Sequence, residues 1–464
     1  MRAEAGPYRV EDIVRACEGT ILCGPQEAAF DAICTDSRQV RPGDLFVPIR
    51  GERFDGNEFI LPALEAGARG SLVDGDIHRV LPHIPADCVL IQVEDTLPSL
   101  SDLASAHRIT HTFPLIAVTG SSGKTTVKEM IAGILSLRHR PLVSKGNFNN
   151  MIGLPMTILS LSSSHTAAVV EAGINTKGEM SRLAHAALPD IAVITTAGPV
   201  HLEGLGTIAG VAEEKYQLVR ALRPKGRAIL PEANGYLRAL LKEFPVEALL
   251  FGLERGDVTA RNVEFGSGTK FAMVTPWGER EIFLKVPGRH NVLNALAAAA
   301  ACLSIGCGPD EAAEGLALFT APPMRMELIP LTGGRVLIRD CYNANPQSMK
   351  AALEVLAAKG RAGLALLADM KELGPQAEAF HEEIGREAAR LHVGRVVFVG
   401  DYGPAFEKGF IGAGGDPGSV NVMETAEDAW RLVLPILSGY EVVLVKGSRS
   451  MRMEIMADRI LEEK

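Results

Sequence analysis

Leu115-Ile-Ala-Val-Thr-Gly-Ser-Ser-Gly-Lys-Thr-Thr-Val-Lys-Glu-Met-Ile-Ala-Gly-Ile-Leu135 is the stretch from which the rest of the chain is read. Leu115 to Thr119 is an apolar run of strand length, and Val127, Met130, Ile131, Ile134 and Leu135 then recur at the three- and four-residue spacing of a helix. Between them, Gly120 to Thr126 is a glycine-bearing loop, so the segment predicts strand, loop and helix in succession. That context makes the loop a phosphate cradle. Backbone N–H groups and the positive end of the helix converge on phosphate oxygens, Lys124 reaches the outer phosphates, and the Thr125 hydroxyl can ligate Mg²⁺. The implied ligand is ATP or GTP. A Gly/Ser turn followed by a solvated lysine would not call for these flanks. One departure stands out: the common pattern carries a glycine five residues before Gly123, where this chain has Val118.

Further apolar strands are expected at Ala167 to Val170, Ile191 to Thr195, Arg227 to Leu230 and Ala248 to Phe251, separated by helical segments, as a doubly wound parallel sheet requires. Residues 258 to 286 alternate like antiparallel strands, and an alanine-rich helix begins near Asn291. On the N-terminal side, short strands such as Leu45 to Ile49, turns, and a helix near Phe59 to Ala66 predict a small α/β domain. Beyond Ala321-Pro-Pro323, strands at Val336 to Ile338, Leu364 to Leu367, Val396 to Val399 and Val442 to Val445 predict a second open, Rossmann-like α/β sheet. The expected fold class is α/β with three domains, at residues 1–110, 111–321 and 322–464.

The totals narrow the function. With 47 Lys and Arg against 56 Asp and Glu, the net charge of −9 has the wrong sign for a chain held to nucleic acid by phosphate neutralisation. Seven cysteines without a CxxC pair fit neither a disulfide framework nor a zinc ribbon and point to a reducing, cytoplasmic compartment. No secretory signal pattern opens the chain, and no apolar run approaches the roughly 20 residues of a membrane span.

In an open parallel sheet ligands bind beyond the carboxyl ends of the strands, which gives weight to polar residues there. Glu171 ends the second long strand of the middle domain and His201 follows the third. His201 is either a metal ligand beside Glu171 or a loop histidine that only packs, since Mg²⁺ prefers oxygen. A helix from Thr207 to Leu222 places Ile208, Val211, Lys215, Leu218 and Leu222 on one face. Lys215 thus sits on the buried side, either snorkelling or carrying an amine deprotonated by its surroundings and chemically modified or catalytic. Asp340, Asp369 and Lys446-Gly-Ser448 follow strands of the third domain, as caps and solvated loop residues or as parts of a site.

Several stretches, taken together, resemble the Mur ligase superfamily, and within it the branch that adds D-alanyl-D-alanine to UDP-N-acetylmuramoyl-tripeptide. They are Thr35-Asp-Ser-Arg38, Gly120 to Thr126, Gly146 to Gly153, Glu171-Ala-Gly173, His201-Leu-Glu-Gly204, Lys215, Gly288-Arg-His-Asn291 with Asn294, and Met324-Arg-Met-Glu327. Asp340-Cys-Tyr-Asn-Ala-Asn-Pro346, Asp369-Met-Lys-Glu-Leu-Gly374 and Val445 to Glu454 complete the set, the last three resembling that branch in particular. The resemblance implies a UDP-sugar-binding N-terminal domain, a central ATPase and a C-terminal domain that closes on ATP and brings the incoming dipeptide. It implies a monomeric cytoplasmic enzyme of peptidoglycan synthesis that uses ATP and two Mg²⁺ ions.

By resemblance, the ATP-binding residues are Gly120, Ser121, Ser122, Gly123, Lys124, Thr125, Thr126, His290, Asn291, Asn294, Arg325 and Asp340. The metal positions are Thr125, Glu171, His201 and Lys215, the last as a carbamate, and Lys124, Lys215, His201 and Arg325 are the catalytic set. Substrate positions are Ser37, Arg38, Asn147, Asn149, Asn150, Tyr342, Asn343, Asn345, Lys446, Gly447 and Ser448. Thr195 to Val200 departs from the family's asparagine-bearing turn before the histidine, a change expected to affect packing more than chemistry. The implied chemistry is attack of the tripeptide carboxylate on the γ-phosphate of ATP, then displacement of phosphate by the dipeptide amine. A ligase adding the third amino acid would show an Asp-Asn-Pro-Arg-like motif, which is missing, and a nucleotide switch would leave Lys215 unexplained.

Overall fold

The computed structural model describes residues 1–51, 54–75, 81–266, 268–360 and 363–463. By the density of internal contacts the chain divides into two compact units. The first is Met1–Thr119 with Arg138–Val193 and Gln217–Ala228; the second is Gly120–Leu137 with Ile194–Tyr216 and Ile229–Lys464.

The apolar runs become strands because strands covered on both faces need no polar alternation. Every residue of Leu115–Thr119, Ala167–Glu171 and Ile191–Ile194 is buried. A six-stranded sheet runs in the order Pro141–Val143, Ala167–Glu171, Leu115–Thr119, Ile191–Ile194, Arg227–Pro231, Ala248–Phe251. Ala167–Glu171 pairs in parallel with Pro141–Val143 on one side and Leu115–Thr119 on the other. The three-residue Pro141–Val143 strand escaped the sequence reading: it is short, lies at the edge and opens with a proline, which cannot donate to a ladder.

In the first unit, a second six-stranded sheet takes the order Arg2–Ala3, Ile33–Cys34, Leu45–Phe46, Gly70–Val73, Val89–Gln92, Thr20–Cys23. Phe46, Ile60, Ala63, Leu64, Val73 and Leu90 form its core, the middle three coming from the expected helix, here Ile60–Glu65.

In the second unit, Thr259–Phe265, Thr269–Thr275 and Gly278–Leu284 make the expected antiparallel sheet. The alanine-rich helix spans Arg289–Leu303, and its small side chains let it pack closely on the Lys124–Leu135 helix. The C-terminal sheet runs Glu327–Pro330, Val336–Arg339, Val442–Lys446, Gly363–Ala368, Arg395–Val399, Val420–Met423. Its first pair is antiparallel and the rest parallel, with apolar cores on both faces. Both edge strands went unread because they are half-buried and carry little of the continuous apolar signal of the inner four.

The fold is α/β throughout, and among the described residues no helix is long and apolar enough to cross a membrane. The helix bearing Lys215 spans Ile208–Arg220, shorter than expected. Pro224 disfavours helical geometry at Arg223, so the last turn unwinds and Leu222 falls outside it.

Candidate functional site

The glycine loop lies in the second unit and is fixed by its own backbone and by residues distant in sequence. Ser121 N–H donates to Thr196 O at 2.9 Å, and Ser121 Oγ both donates to Gly198 O at 3.1 Å and accepts from Gly198 N–H at 2.9 Å. Thr195 Oγ1 donates to Ser122 O, and Asn345 Nδ2 donates to Ser121 O at 3.0 Å. The divergent Thr195 to Val200 stretch thus anchors the loop. Both the N–H and the Oγ of Ser121 are spent on that anchoring. Gly123 caps the Lys124–Leu135 helix at φ 81°, a left-handed backbone suited to glycine, and an added Cβ would lie 2.4 Å from Asn294 Oδ1. Asn294 Nδ2 in turn donates to Asn291 Oδ1 at 3.2 Å, and Asn291 Nδ2 to Pro287 O at 2.7 Å. The expected adenine-side helix therefore abuts the loop. Lys124 Nζ donates to Gly120 O at 2.8 Å, curled over the cradle, and Thr125 is buried at the first turn.

Lys215 is 1% exposed, on the buried face of its helix with Val211 and Leu218. Its amine makes no hydrogen bond or ion pair among the described residues. Burial, reinforced by the Lys124 charge and opposed by Glu214, pulls its pKa well below the usual lysine value. Snorkelling is excluded by that burial: the head group does not reach water. A lowered pKa makes the amine easier to deprotonate to its nucleophilic form.

His201 adopts φ 52° and opens the short Leu202–Leu205 helix. Its Nδ1 lies 2.5 Å from Glu372 Oε2, while Leu202 N–H donates to Glu372 O at 2.9 Å. The His201 contact also holds the Glu372 carboxyl below its ordinary pKa. Sequence reasoning missed Glu372, although it stands inside the quoted Asp369 to Gly374 stretch; a partner 171 residues away leaves no local signal. A carboxylate on one ring nitrogen orients an imidazole and leaves Nε2 for another ligand.

Buried Lys446 pairs with half-buried Asp340, Lys446 Nζ lying 2.6 Å from Asp340 Oδ2 and also donating to Asn343 O at 3.2 Å. Asp340 Oδ1 accepts from Met326 N–H at 3.0 Å. His290 feels both charges, and desolvation pushes its imidazole down to about 4, so it is neutral at neutral pH. Arg325 stacks on Tyr342, its guanidinium carbon 4.0 Å from the ring centroid. Asn345 caps the Pro346–Ala358 helix, and Asn343 Oδ1 accepts from Ala344 N–H. Gly447 is hemmed in by Met453 and Ala368, and Ser448 Oγ accepts from Lys371 N–H at 2.9 Å. Asp369 is fully buried and accepts from Asp401 N–H, Tyr402 N–H and Lys371 Nζ, so its carboxylate ties loops together and is not a free site group.

The first unit holds the remaining positions. Glu171, 2% exposed at the end of its strand, accepts from Asn149 Nδ2 at 2.8 Å. Asn150 Oδ1 caps the Gly153–Ile158 helix through Gly153 N–H at 2.8 Å, and Asn147 is exposed. Ser37 and Arg38 lie in a turn capped by Asp36. Arg38 is 86% exposed and pairs bidentately with that aspartate at 2.8 and 2.9 Å, which lowers Asp36 to about 2. Its fork is therefore pre-aligned by a carboxylate of its own turn. Among the described residues, no three His, Cys, Asp or Glu side chains gather to hold a metal ion.

Three family descriptions match the chain: Mur ligase family, catalytic domain, over residues 30–108; Mur ligase middle domain, over 118–302; and Mur ligase, glutamate ligase domain, over 324–449. The UDP-N-acetylmuramoyl-tripeptide--D-alanyl-D-alanine ligase of Escherichia coli (strain K12) is 38% identical over 96% of this chain and 97% of its own. The ligase of the same name from Bacillus subtilis (strain 168) is 35% identical over 98% of both. Among solved structures, MurF from Acinetobacter baumannii superposes with a TM-score of 0.91 at 30% identity, covering 99% of this chain and 100% of that one. MurF ligase from Thermotoga maritima in complex with ADP gives 0.82 at 26% identity, over 93% and 97%. The family descriptions fall on the glycine loop, the Lys215 helix and the Asp340–Lys446 pair, and the chain belongs to the Mur ligase family.

Proposed function

We propose that this chain is an ATP-dependent, C–N bond-forming ligase of peptidoglycan synthesis that joins D-alanyl-D-alanine to UDP-N-acetylmuramoyl-tripeptide. The observation that carries the reading is end-to-end similarity, over 96–98% of both chains, to ligases of that activity. In this reading residues 1–110 bind the UDP-sugar, 111–321 bind ATP, and 322–464 close on the nucleotide and deliver the dipeptide. The enzyme works in the cytoplasm as a monomer.

The tripeptide carboxylate attacks the γ-phosphate of ATP, ADP leaves, and the dipeptide amine then displaces phosphate from the acyl phosphate. Phosphoryl transfer asks a protein for alignment and charge neutralisation more than for covalent help. The anchored glycine loop holds the phosphates, Lys124 neutralises the outer ones, Arg325 offers a guanidinium with no anion among the described residues, and Asn291 and Asn294 line the nucleotide side. His290 and Asp340 complete the ATP contacts. Ser37 and Arg38 take the UDP-sugar, Asn147, Asn149 and Asn150 the rest of that substrate, and Tyr342, Asn343, Asn345, Lys446, Gly447 and Ser448 the dipeptide side.

Mg²⁺ takes few protein ligands and many phosphate and water oxygens, so a site without a dense acidic cluster among the described residues suits it. Thr125, Glu171, His201 and Lys215 would hold it. The burial of Lys215 fits that role only after modification: its neutral amine adds to CO₂, loses a proton and becomes a carbamate anion. When bound, the metal neutralises the approach of carboxylate to γ-phosphate.

The test is phosphate release from ATP, coupled to mass spectrometry of the sugar-peptide. A UDP-MurNAc-pentapeptide formed only with all three substrates supports the reading; phosphate release indifferent to tripeptide and dipeptide sinks it.

A further inference from the structure

Two arginines converge on one tyrosine in the C-terminal part of the chain. Tyr342 lies three residues beyond the strand Val336–Arg339, and Arg449 three beyond Val442–Lys446. These strands are parallel neighbours, with Arg339 opposite Val445, so both residues emerge at carboxyl ends, the ligand side of such a sheet. The Arg325 guanidinium carbon is 4.0 Å from the Tyr342 ring centroid and that of Arg449 is 6.0 Å. The Arg325 guanidinium makes no hydrogen bond or ion pair among the described residues. Arg449 has one ion pair, to Glu454 Oε1 at 3.2 Å, and is 55% exposed. Five N–H donors and a single anionic neighbour leave its fork largely open.

The two lysines of this region are committed. Lys446 is buried against Asp340, and Lys371 is held by Asp369 at 2.8 Å and Asp401 at 3.3 Å. The geometry points to Arg449 as the seat of the free carboxylate of the incoming dipeptide, an assignment that rests on the function proposed above. D-alanyl-D-alanine offers an amine, one amide, two methyl groups and a carboxylate. Its amine must be free to attack, so the carboxylate is the charged handle left for orientation. A planar guanidinium pairs with a carboxylate through two parallel N–H bonds, and an ammonium does not. Glu454 holds Arg449 through Nη1, Tyr342 lies beside it, and Arg325 on the same ring remains for phosphate.

The experiment compares D-alanyl-D-alanine with its C-terminal carboxamide in the full ligation assay, using the wild-type enzyme, Arg449→Ala and Arg449→Lys. Amidation should raise the wild-type KM for the dipeptide between about 10-fold and 150-fold, the worth of hydrogen bonds to a charged group. Arg449→Ala should raise KM for the free dipeptide by a similar factor and abolish discrimination against the amide, with KM for ATP within twofold of wild type. Arg449→Lys, which keeps the charge and loses the fork, should fall between the two and serves if the alanine variant fails to fold. Undiminished discrimination in either folded variant overturns the assignment, as does a rise confined to KM for ATP, which would make the anion a phosphate. Absence of any pentapeptide from the wild-type enzyme is a different result: it refutes the ligase reading itself.

Discussion

Lys446→Met tests whether the Asp340–Lys446 pair is a structural strut. Lys446 is 1% exposed, its ammonium lies 2.6 Å from Asp340 Oδ2, and it also bonds Asn343 O at 3.2 Å and Asp340 O at 3.4 Å. With an effective dielectric of about 20, Coulomb attraction at that separation is about 6 kcal/mol, most of it offset by desolvating two charges. The pair is therefore worth little net, but removing one partner is expensive. Methionine fills the space and leaves Asp340 with Met326 N–H alone, a stranded carboxylate costing about 3–5 kcal/mol. At about 2–4 °C per kcal/mol for a folding body of this order of size, the calorimetric transition should drop by about 6–20 °C. The double variant Asp340→Asn/Lys446→Met removes both charges and should recover more than half of the loss. A shift below about 2 °C in the single variant, or a double variant no more stable than the single, would refute the argument.

Three further outcomes follow from the same geometry. Lys215→Ala should abolish ligation while leaving the melting temperature within a few degrees, and short-chain carboxylic acids should restore part of the activity by replacing the missing anion; full activity in the variant would rule out the carbamate. Gly123→Ala forces a left-handed alanine, at a cost of about 1–2 kcal/mol, against Asn294 and should weaken binding of a fluorescent ATP analogue about tenfold or more; Gly178→Ala, equally left-handed at φ 93° but with open space around it, should leave that binding unchanged. His111, whose pKa desolvation lowers to about 4 with help from His107, Arg108 and His165, stays neutral when folded and titrates near 6.5 when unfolded. Its contribution is complete above pH 6.5 and is lost as pH falls towards 4. The full shift would be about 3 kcal/mol, reduced by solvent to about 1–2. His111→Asn should flatten the acid side of a melting-temperature profile, and an unchanged profile would count against the assignment.

Local periodicity made most of this protein legible in its sequence. The run Leu115 to Thr119, the glycine loop and the inner strands of both large sheets are buried on two faces, so their apolar character is continuous and needs no neighbour to explain it. Lys215 could be placed on an inward face by counting threes and fours. The edge strands Pro141–Val143, Glu327–Pro330 and Val420–Met423 gave no such signal, because half their surface faces away from the core. Polar pairings were further out of reach. Asp369 stood at a strand end like a site residue, yet the fold closes two backbone N–H groups and a lysine around it. Arg38 carries the fork expected for phosphate, and its own turn supplies Asp36 to hold it. Glu372 meets His201, Lys446 meets Asp340, and Arg449 meets Tyr342 across 171, 106 and 107 residues. Side-chain periodicity records which face of an element is buried; which charge meets which at the strand ends depends on how distant elements align, and only the packed chain sets that.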